Sequence, residues 1–226
     1  MWNPYTEEHE LFRKTVRQFA EKEIEPYADE WEKNKDFPSE LFKKAGDLGI
    51  LGAHYSEDVG GGGGDYWFSV AKAQELPRGR CAGVTMALLV QTDMATPVIA
   101  DLGTPEQIDE FLKPALTGDR IASIGVSEPG AGSDVAGIRT VAKKDGGDYV
   151  LNGQKTFITN GARASFVTLL AKTNPDSCRP TPKASRSDAS SRRSATTLPT
   201  PPSFSSRTFA SPSAIGSVKR TWASCT

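Results

Sequence analysis

Cysteine, histidine and long apolar runs are what this chain is short of. Its three cysteines, Cys81, Cys178 and Cys225, are odd in number and lack metal-type spacing, so neither a disulfide framework nor a zinc site is implied. Cys81 falls at a helix start, where a thiol pKa can drop, although a buried packing role also fits. The two histidines, His9 and His54, stand without a partner pattern, and no catalytic residue or metal ligand is assigned. The opening Met1-Trp-Asn-Pro has neither the charged head nor the apolar centre of a signal peptide, and no apolar run reads as long enough to span a bilayer. The expectation is a cytosolic chain with no membrane span. No G-x-G-x-x-G sits between a strand and a helix, which disfavours a nicotinamide-binding Rossmann fold.

Charge is present but unevenly spread. Residues 1–176 carry 19 basic and 27 acidic side chains, whereas residues 177–226 carry 8 and 1. The acidic front argues against nucleic acid as a partner. That front begins with helical patterns. Thr6 can cap a helix opening on Glu7 and Glu8, with Leu11, Phe12, Val16, Phe19 and Ile24 as its apolar stripe. Pro38 and Ser39 start a second helix through Leu41, Phe42, Ala45 and Leu48, and Gly60 to Gly64 reads as a flexible turn. Tyr66 to Leu76 and Val84 to Leu102 are further helices, the latter bent near Pro97. Thr104-Pro-Glu-Gln107 is a capping box with proline at the first helical position.

After Gly118 the period changes. Ile121 to Val126, Thr140 to Lys143, Asp148 to Asn152 and Phe166 to Ala171 read as strands between glycine-rich turns. Helices followed by strands predict an α+β fold: an N-terminal helical bundle domain over 1–119, an incomplete antiparallel β-barrel-like domain over 120–176, and a disordered tail over 177–226.

Two segments could carry chemistry. In Ser127 to Asp134, Gly130 and Gly132 allow a sharp turn and close backbone approach, free N–H groups can hold an anion, and Ser127 and Ser133 add hydroxyls. Taken alone, this also fits a surface turn. In Thr156-Phe-Ile-Thr159, a strand would place Phe157 and Thr159 on one face, an aromatic beside a hydroxyl, suited to a planar heteroaromatic ring. Taken alone, this also fits a half-buried strand ending in a type I′ Asn160-Gly161 turn.

The ordered pair Ile124-Gly-Val-Ser-Glu-Pro-Gly-Ala-Gly-Ser-Asp134 and Gln154-Lys-Thr-Phe-Ile-Thr-Asn-Gly161 resembles the acyl-CoA dehydrogenase family, its long-chain branch most of all. Phe12-Arg-Lys-Thr-Val-Arg17, Leu48-Gly-Ile-Leu-Gly52, Glu57-Asp-Val-Gly-Gly-Gly62 and Leu102-Gly-Thr-Pro-Glu-Gln107 look like the same family. The resemblance implies flavin adenine dinucleotide (FAD) held by Ile124, Gly125, Val126, Ser127, Glu128, Pro129, Gly130, Ala131, Gly132 and Ser133. Ser133 would also approach the acyl-CoA substrate. Phe157, Ile158 and Thr159 would pack on the isoalloxazine, with the Thr159 hydroxyl near N5. Phe157 stands where relatives often have tryptophan, and Ile124 replaces a frequent aromatic. The implied reaction is α,β-dehydrogenation of an acyl-CoA thioester, with electrons passed to an electron-transfer flavoprotein and a homotetrameric parent enzyme. The family's base is a glutamate in a C-terminal helical domain; no glutamate here matches it, and Glu128 reads as structural. An acyl-CoA oxidase or flavin monooxygenase, or a non-catalytic module with a basic arm, are the alternatives.

From Ser177 the chain turns to Ser, Pro, Arg and Thr, with too little apolar surface to fold unaided. It reads either as a basic tail or as an out-of-frame translation. Leu198 to Ser213 can hide, one base out of register, the family-like string Ala-Asp-Thr-Ala-Glu-Leu-Leu-Phe-Glu-Asp-Val-Arg-Val-Pro-Val, and Trp222 followed by Ala223 must hide a glycine. The expected shift lies near Asp176. On this reading the chain is an inactive fragment.

Overall fold

Local capping chemistry fixes where the first helix begins. The His9 backbone N–H donates to Thr6 Oγ1, and the Thr6 N–H donates back to His9 Nδ1, closing a capping box on α1 (Glu7–Phe19). Glu7, Glu8 and Glu10 follow in the first turn, where the helix dipole favours acids. The structure, a computed structural model, describes residues 4–146 and 148–173 and the backbone of residues 194–199 and 222–223. Two compact units divide the chain, Met1–Ala122 and Ser123–Thr226.

In the first unit, α1 runs on through a π turn (Ala20–Ile24) and a 3-10 turn (Glu25–Tyr27) into α2 (Ala28–Asn34), a helix that the apolar pattern does not announce. There follow α3 (Glu40–Asp47), α4 (Tyr66–Glu75), α5 (Ala82–Leu89), α6 (Pro97–Leu102), α7 (Pro105–Gln107) and α8 (Lys113–Leu116). The second capping box is formed: Gln107 N donates to Thr104 Oγ1 and Thr104 N to Gln107 Oε1. Val16, Phe19, Ile24, Leu41, Phe42, Leu51, Leu76, Val84 and Leu88 meet in one core. Leu11 and Leu48, expected on buried stripes, are instead exposed, at 67% and 50%. The inward face of α1 carries His9, Val16 and Phe19, and Leu11 is turned away from it.

The glycine run is not a flexible turn. The N–H groups of Gly61, Gly62, Gly63 and Gly64 donate to the carbonyls of Ser56, Gly52, Tyr55 and Ala53, which folds the run back on residues 52–56. Gly118 is equally constrained. Its φ is +77°, and a Cβ there would lie 2.1 Å from Phe42 O, in the backbone of α3. Gly118→Ala is therefore expected to cost about 2 kcal/mol or more, since left-handed strain and a backbone clash act together. Urea unfolding followed by far-UV circular dichroism would show the shift in midpoint.

The run Ala82–Leu102 corrects the expectation that no apolar run is long enough to span a bilayer. Its 21 residues are long and apolar enough to cross one by length and composition, and half of its most apolar window is buried inside the protein. The buried polar groups along it are satisfied by the protein. Gln91 Nε2 donates to Ala115 O and Arg120 O, and its Oε1 accepts from Ala122 N. Fully buried Lys72 donates to Thr92 Oγ1 at 2.6 Å and pairs with Asp93 at 3.2 Å.

The second unit is built from strands. β1 (Ala122–Gly125), β4 (Phe166–Ala171), β5 (Ser194–Pro199) and β6 (Trp222–Ala223) form one sheet in the order β1-β4-β5-β6. β2 (Val141–Asp145) and β3 (Asp148–Asn152) form an antiparallel hairpin whose register runs from Val141↔Asn152 to Asp145↔Asp148. Gly146, at φ +60°, opens its two-residue turn. The hairpin is tied to the residue after β4, with Ala142 N donating to Lys172 O and Lys172 N to Thr140 O. Ala142, Tyr149 and Ala171 make a small core with Leu151 and Leu169. The architecture is thus a helical domain followed by a small β region. Most of the expected tail lies outside the described residues; within it, the backbone of 194–199 is a strand paired antiparallel with β4.

Candidate functional site

β1 delivers the chain into the glycine loop. Ile124 is half-buried and Gly125 buried at the end of the strand; a Cβ on Gly125 would lie 2.8 Å from Leu169 Cδ1, so β1 packs closely there. Val126 and Ser127 are half-buried. The loop then doubles back: Glu128 N donates to Ala131 O and Ala131 N to Glu128 O, both residues being buried. This leaves Pro129, Gly130, Gly132 and Ser133 exposed. The chain turns sharply at Pro129-Gly130, as expected, but neither Gly130 nor Gly132 has a positive φ, and a Cβ on either would meet nothing within 4 Å. The protein's own packing therefore does not require glycine at these positions. They keep an open, backbone-lined surface that something outside the chain could approach.

Glu128 holds this loop in place. Its Oε1 accepts from Lys155 Nζ at 2.8 Å and Thr140 N at 2.9 Å, and its Oε2 from Arg139 N at 2.6 Å. Lys155 Nζ donates in addition to Val126 O at 2.8 Å. Burial by itself would raise the Glu128 carboxyl, but Lys155 and the Thr140 and Arg139 donors outweigh it and hold the pKa at about 2. A carboxylate so fully engaged serves architecture and is a poor proton acceptor, as its position in the sequence suggested. Sequence reasoning missed Lys155, Arg139 and Thr140. The available signal was a lone lysine in Gly153-Gln-Lys-Thr156, opposite a lone acid in the glycine loop.

The two segments are brought together: besides the Lys155 contacts, Thr156 N donates to Ser127 O at 2.9 Å. Their second partner is not the strand that was expected. Residues 153–158 form no ladder, and Phe157 has φ +56°, so Phe157 and Thr159 do not share a strand face. At Asn160-Gly161 only Asn160 has a positive φ, and Gly161 N donates to Ile158 O, which excludes a type I′ turn. Phe157 is 96% exposed, whereas Ile158 and Thr159 are half-buried. A non-glycine residue in the left-handed region with its ring in solvent is unusual, and such strain gathers at functional sites. Buried Thr156 Oγ1 has no hydrogen-bond partner.

Elsewhere, His9 proves to be a capping residue. Nδ1 is occupied by Thr6, and Nε2 lies 2.9 Å from Asp65 Oδ1, itself the cap of α4 through Trp67 N. Cys81 stands at the start of α5 and is buried, the packing role the sequence also allowed: burial raises its thiol pKa most, the Val84 backbone lowers it, and Glu32, acceptor of the thiol at 3.3 Å, raises it again. Among the described residues, no group of three His, Cys, Asp or Glu side chains could hold a metal ion.

Comparison with known proteins decides the family. The family model for the acyl-CoA dehydrogenase N-terminal domain matches residues 6–119, and that for the acyl-CoA dehydrogenase middle domain matches residues 123–189. The chain belongs to the acyl-CoA dehydrogenase family. The long-chain specific mitochondrial acyl-CoA dehydrogenase of Rattus norvegicus is 42% identical over 176 residues, covering 78% of this chain and 40% of the relative. An acyl-CoA dehydrogenase structure from Geobacillus kaustophilus matches with TM-score 0.73 at 40% identity, over 78% of this chain and 46% of that one. A Bacillus anthracis acyl-CoA dehydrogenase complexed with FAD matches with TM-score 0.75 at 30% identity, over 88% and 32%. The chain thus spans less than half the length of these relatives. The acyl-CoA dehydrogenase middle-domain match contains both segments of the candidate site.

Proposed function

We propose that residues 124–133 and 157–159 are the flavin-facing part of an FAD-dependent acyl-CoA dehydrogenase of the long-chain type. The observation that carries this is the pairing of an open glycine loop with a bare aromatic ring, both fixed to one buried Glu128–Lys155 pair. The residues present fit the cofactor. Gly130 and Gly132 leave room for a phosphate to approach the backbone, Ser133 offers an exposed hydroxyl, and Phe157 offers a planar face. When bound, FAD would supply the acceptor for the hydride leaving the β-carbon of an acyl-CoA thioester. The protein's part is to bind the phosphates through loop N–H groups, to orient the ring against Phe157 and Thr159, and to place Ser133 beside the acyl-CoA. In this reading an electron-transfer flavoprotein takes the electrons and the working enzyme is a tetramer.

The 226 residues as a separate polypeptide are inactive in this proposal. No glutamate among them matches the family's base, and Glu128 is committed to the loop. A reading-frame shift near the Asp176 codon accounts for the change in composition that follows; resequencing that codon in independent DNA would expose an unshifted frame or retain this one.

Binding is tested by titrating the purified chain with FAD and following flavin fluorescence. Gly132→Ala is expected to leave thermal unfolding unchanged, because its Cβ meets nothing within 4 Å, and to weaken FAD binding at least tenfold. Equal FAD affinity in the variant would remove the loop from the cofactor site. Acyl-CoA-dependent reduction of an acceptor dye by this chain would overturn the inactivity.

A further inference from the structure

The helical unit holds a cavity that the flavin reading does not use. It has a volume of about 400 Å³ and is lined by His54, Tyr55, Tyr66, Asp93, Pro97 and Asp101, among others. That volume lies within the range of small-molecule sites. Aromatic rings form much of its wall. The His54 and Tyr55 centroids are 4.4 Å apart, and Tyr66 meets His54 edge-on at 6.3 Å. The Tyr55 hydroxyl is already engaged by Thr92 O and Thr96 Oγ1, and the residue is buried, so it backs the cavity wall behind His54. Tyr66 is 71% exposed.

The charges at the wall do not cancel. Asp93 is balanced from within the fold by Lys72 at 3.2 Å and accepts a hydrogen bond from Ser69. Burial, and then the charge of Lys72, bring the His54 pKa down to about 4, so the imidazole is neutral at pH 7 and brings no cation to the cavity. Asp101 has no cationic partner among the described residues. The carboxylates disfavour an anion. The want of a three-ligand cluster among the described residues disfavours a bare metal ion. A cation with an apolar body is the species that carboxylates and aromatic faces attract together.

We propose that this cavity is a binding site for a small organic ammonium ion, with the charge held against Asp101 and the body against the exposed ring of Tyr66. It stands independently of the flavin site. Three probes of one shape test it on the full chain by ligand-observed NMR titration: 2-phenylethylammonium, the neutral 2-phenylethanol and the anionic 3-phenylpropanoate. The ammonium is expected to bind at least ten times more tightly than either of the others. Asp101→Asn, an exposed substitution that leaves thermal unfolding unchanged, is expected to bring it to the level of the alcohol, and Tyr66→Ala to weaken it severalfold. Equal binding of the alcohol or the acid, no binding of the ammonium, or an Asp101→Asn variant that binds it unchanged would overturn the assignment.

Discussion

Replacing Glu128 by glutamine is expected to destabilise the β unit by about 3–5 kcal/mol, the usual cost of stripping one partner from a buried ion pair. Glutamine keeps the shape of glutamate and reverses half of its chemistry. Lys155 Nζ, Thr140 N and Arg139 N are all donors aimed at the two carboxylate oxygens. An amide NH₂ in place of either oxygen sets donor against donor and leaves Lys155, with its side chain only 5% exposed, as a buried uncompensated cation. The measurement is hydrogen exchange at the Arg139 and Thr140 amides, which should lose protection well before the helical unit unfolds. Unchanged protection at both would show that Glu128 does not hold the loop.

Glu75→Gln is expected to have a comparable effect in the helical unit, also about 3 kcal/mol or more. Five N–H groups converge on this carboxylate, two each from Arg13 and Arg17 and one from Arg78, and the side chain is 1% exposed. Arg17 first, then Arg78 and Arg13, hold its pKa at about 2 against the opposing effect of burial. Without the charge, three guanidinium groups face one another across a neutral amide. The same carboxylates give the wild-type chain a defined acid response. Glu75 and Glu128 both bind their protons near pH 2 when folded and near the ordinary 4.5 when unfolded. The unfolded state therefore takes up more protons between those values. Each carboxylate adds about 3 kcal/mol that is complete above the unfolded pKa and is lost as pH falls through 4.5 toward 2. Urea midpoints measured from pH 6 to pH 2.5 should fall steeply in the wild type and less steeply in either variant.

The parts of this fold legible in the sequence are those set by short-range chemistry. Thr6 and Thr104 announce helix starts because a cap needs only residues three apart, and Asp148 to Asn152 and Phe166 to Ala171 are strands with the bounds that the pattern predicts. The failures occur where distant chain decides. His9, not Leu11, faces inward because Asp65 waits for it 56 residues away. The glycines at 61–64 are ordered because residues 52–56 supply acceptors. Phe157 breaks the alternation expected of Thr156 to Thr159, and no local rule foretells a phenylalanine at positive φ. The glycine loop was recognised by its residue types, but the lysine and two amides that fix it were not, since a buried pair 27 residues apart leaves only two isolated charges in the text.

The composition of Ala82–Leu102 also bears on how the helical unit must be made. Read one residue at a time by machinery that sorts apolar segments, this run competes for entry into a lipid phase. Asp93 lies near its middle, where a charged residue opposes insertion by about 2.5–3.5 kcal/mol. Lys72, Gln91 and Thr92 then offer it a folded alternative in which each buried polar group finds a partner. The residues that look like flaws in a membrane segment are the same ones that the folded helical unit pairs.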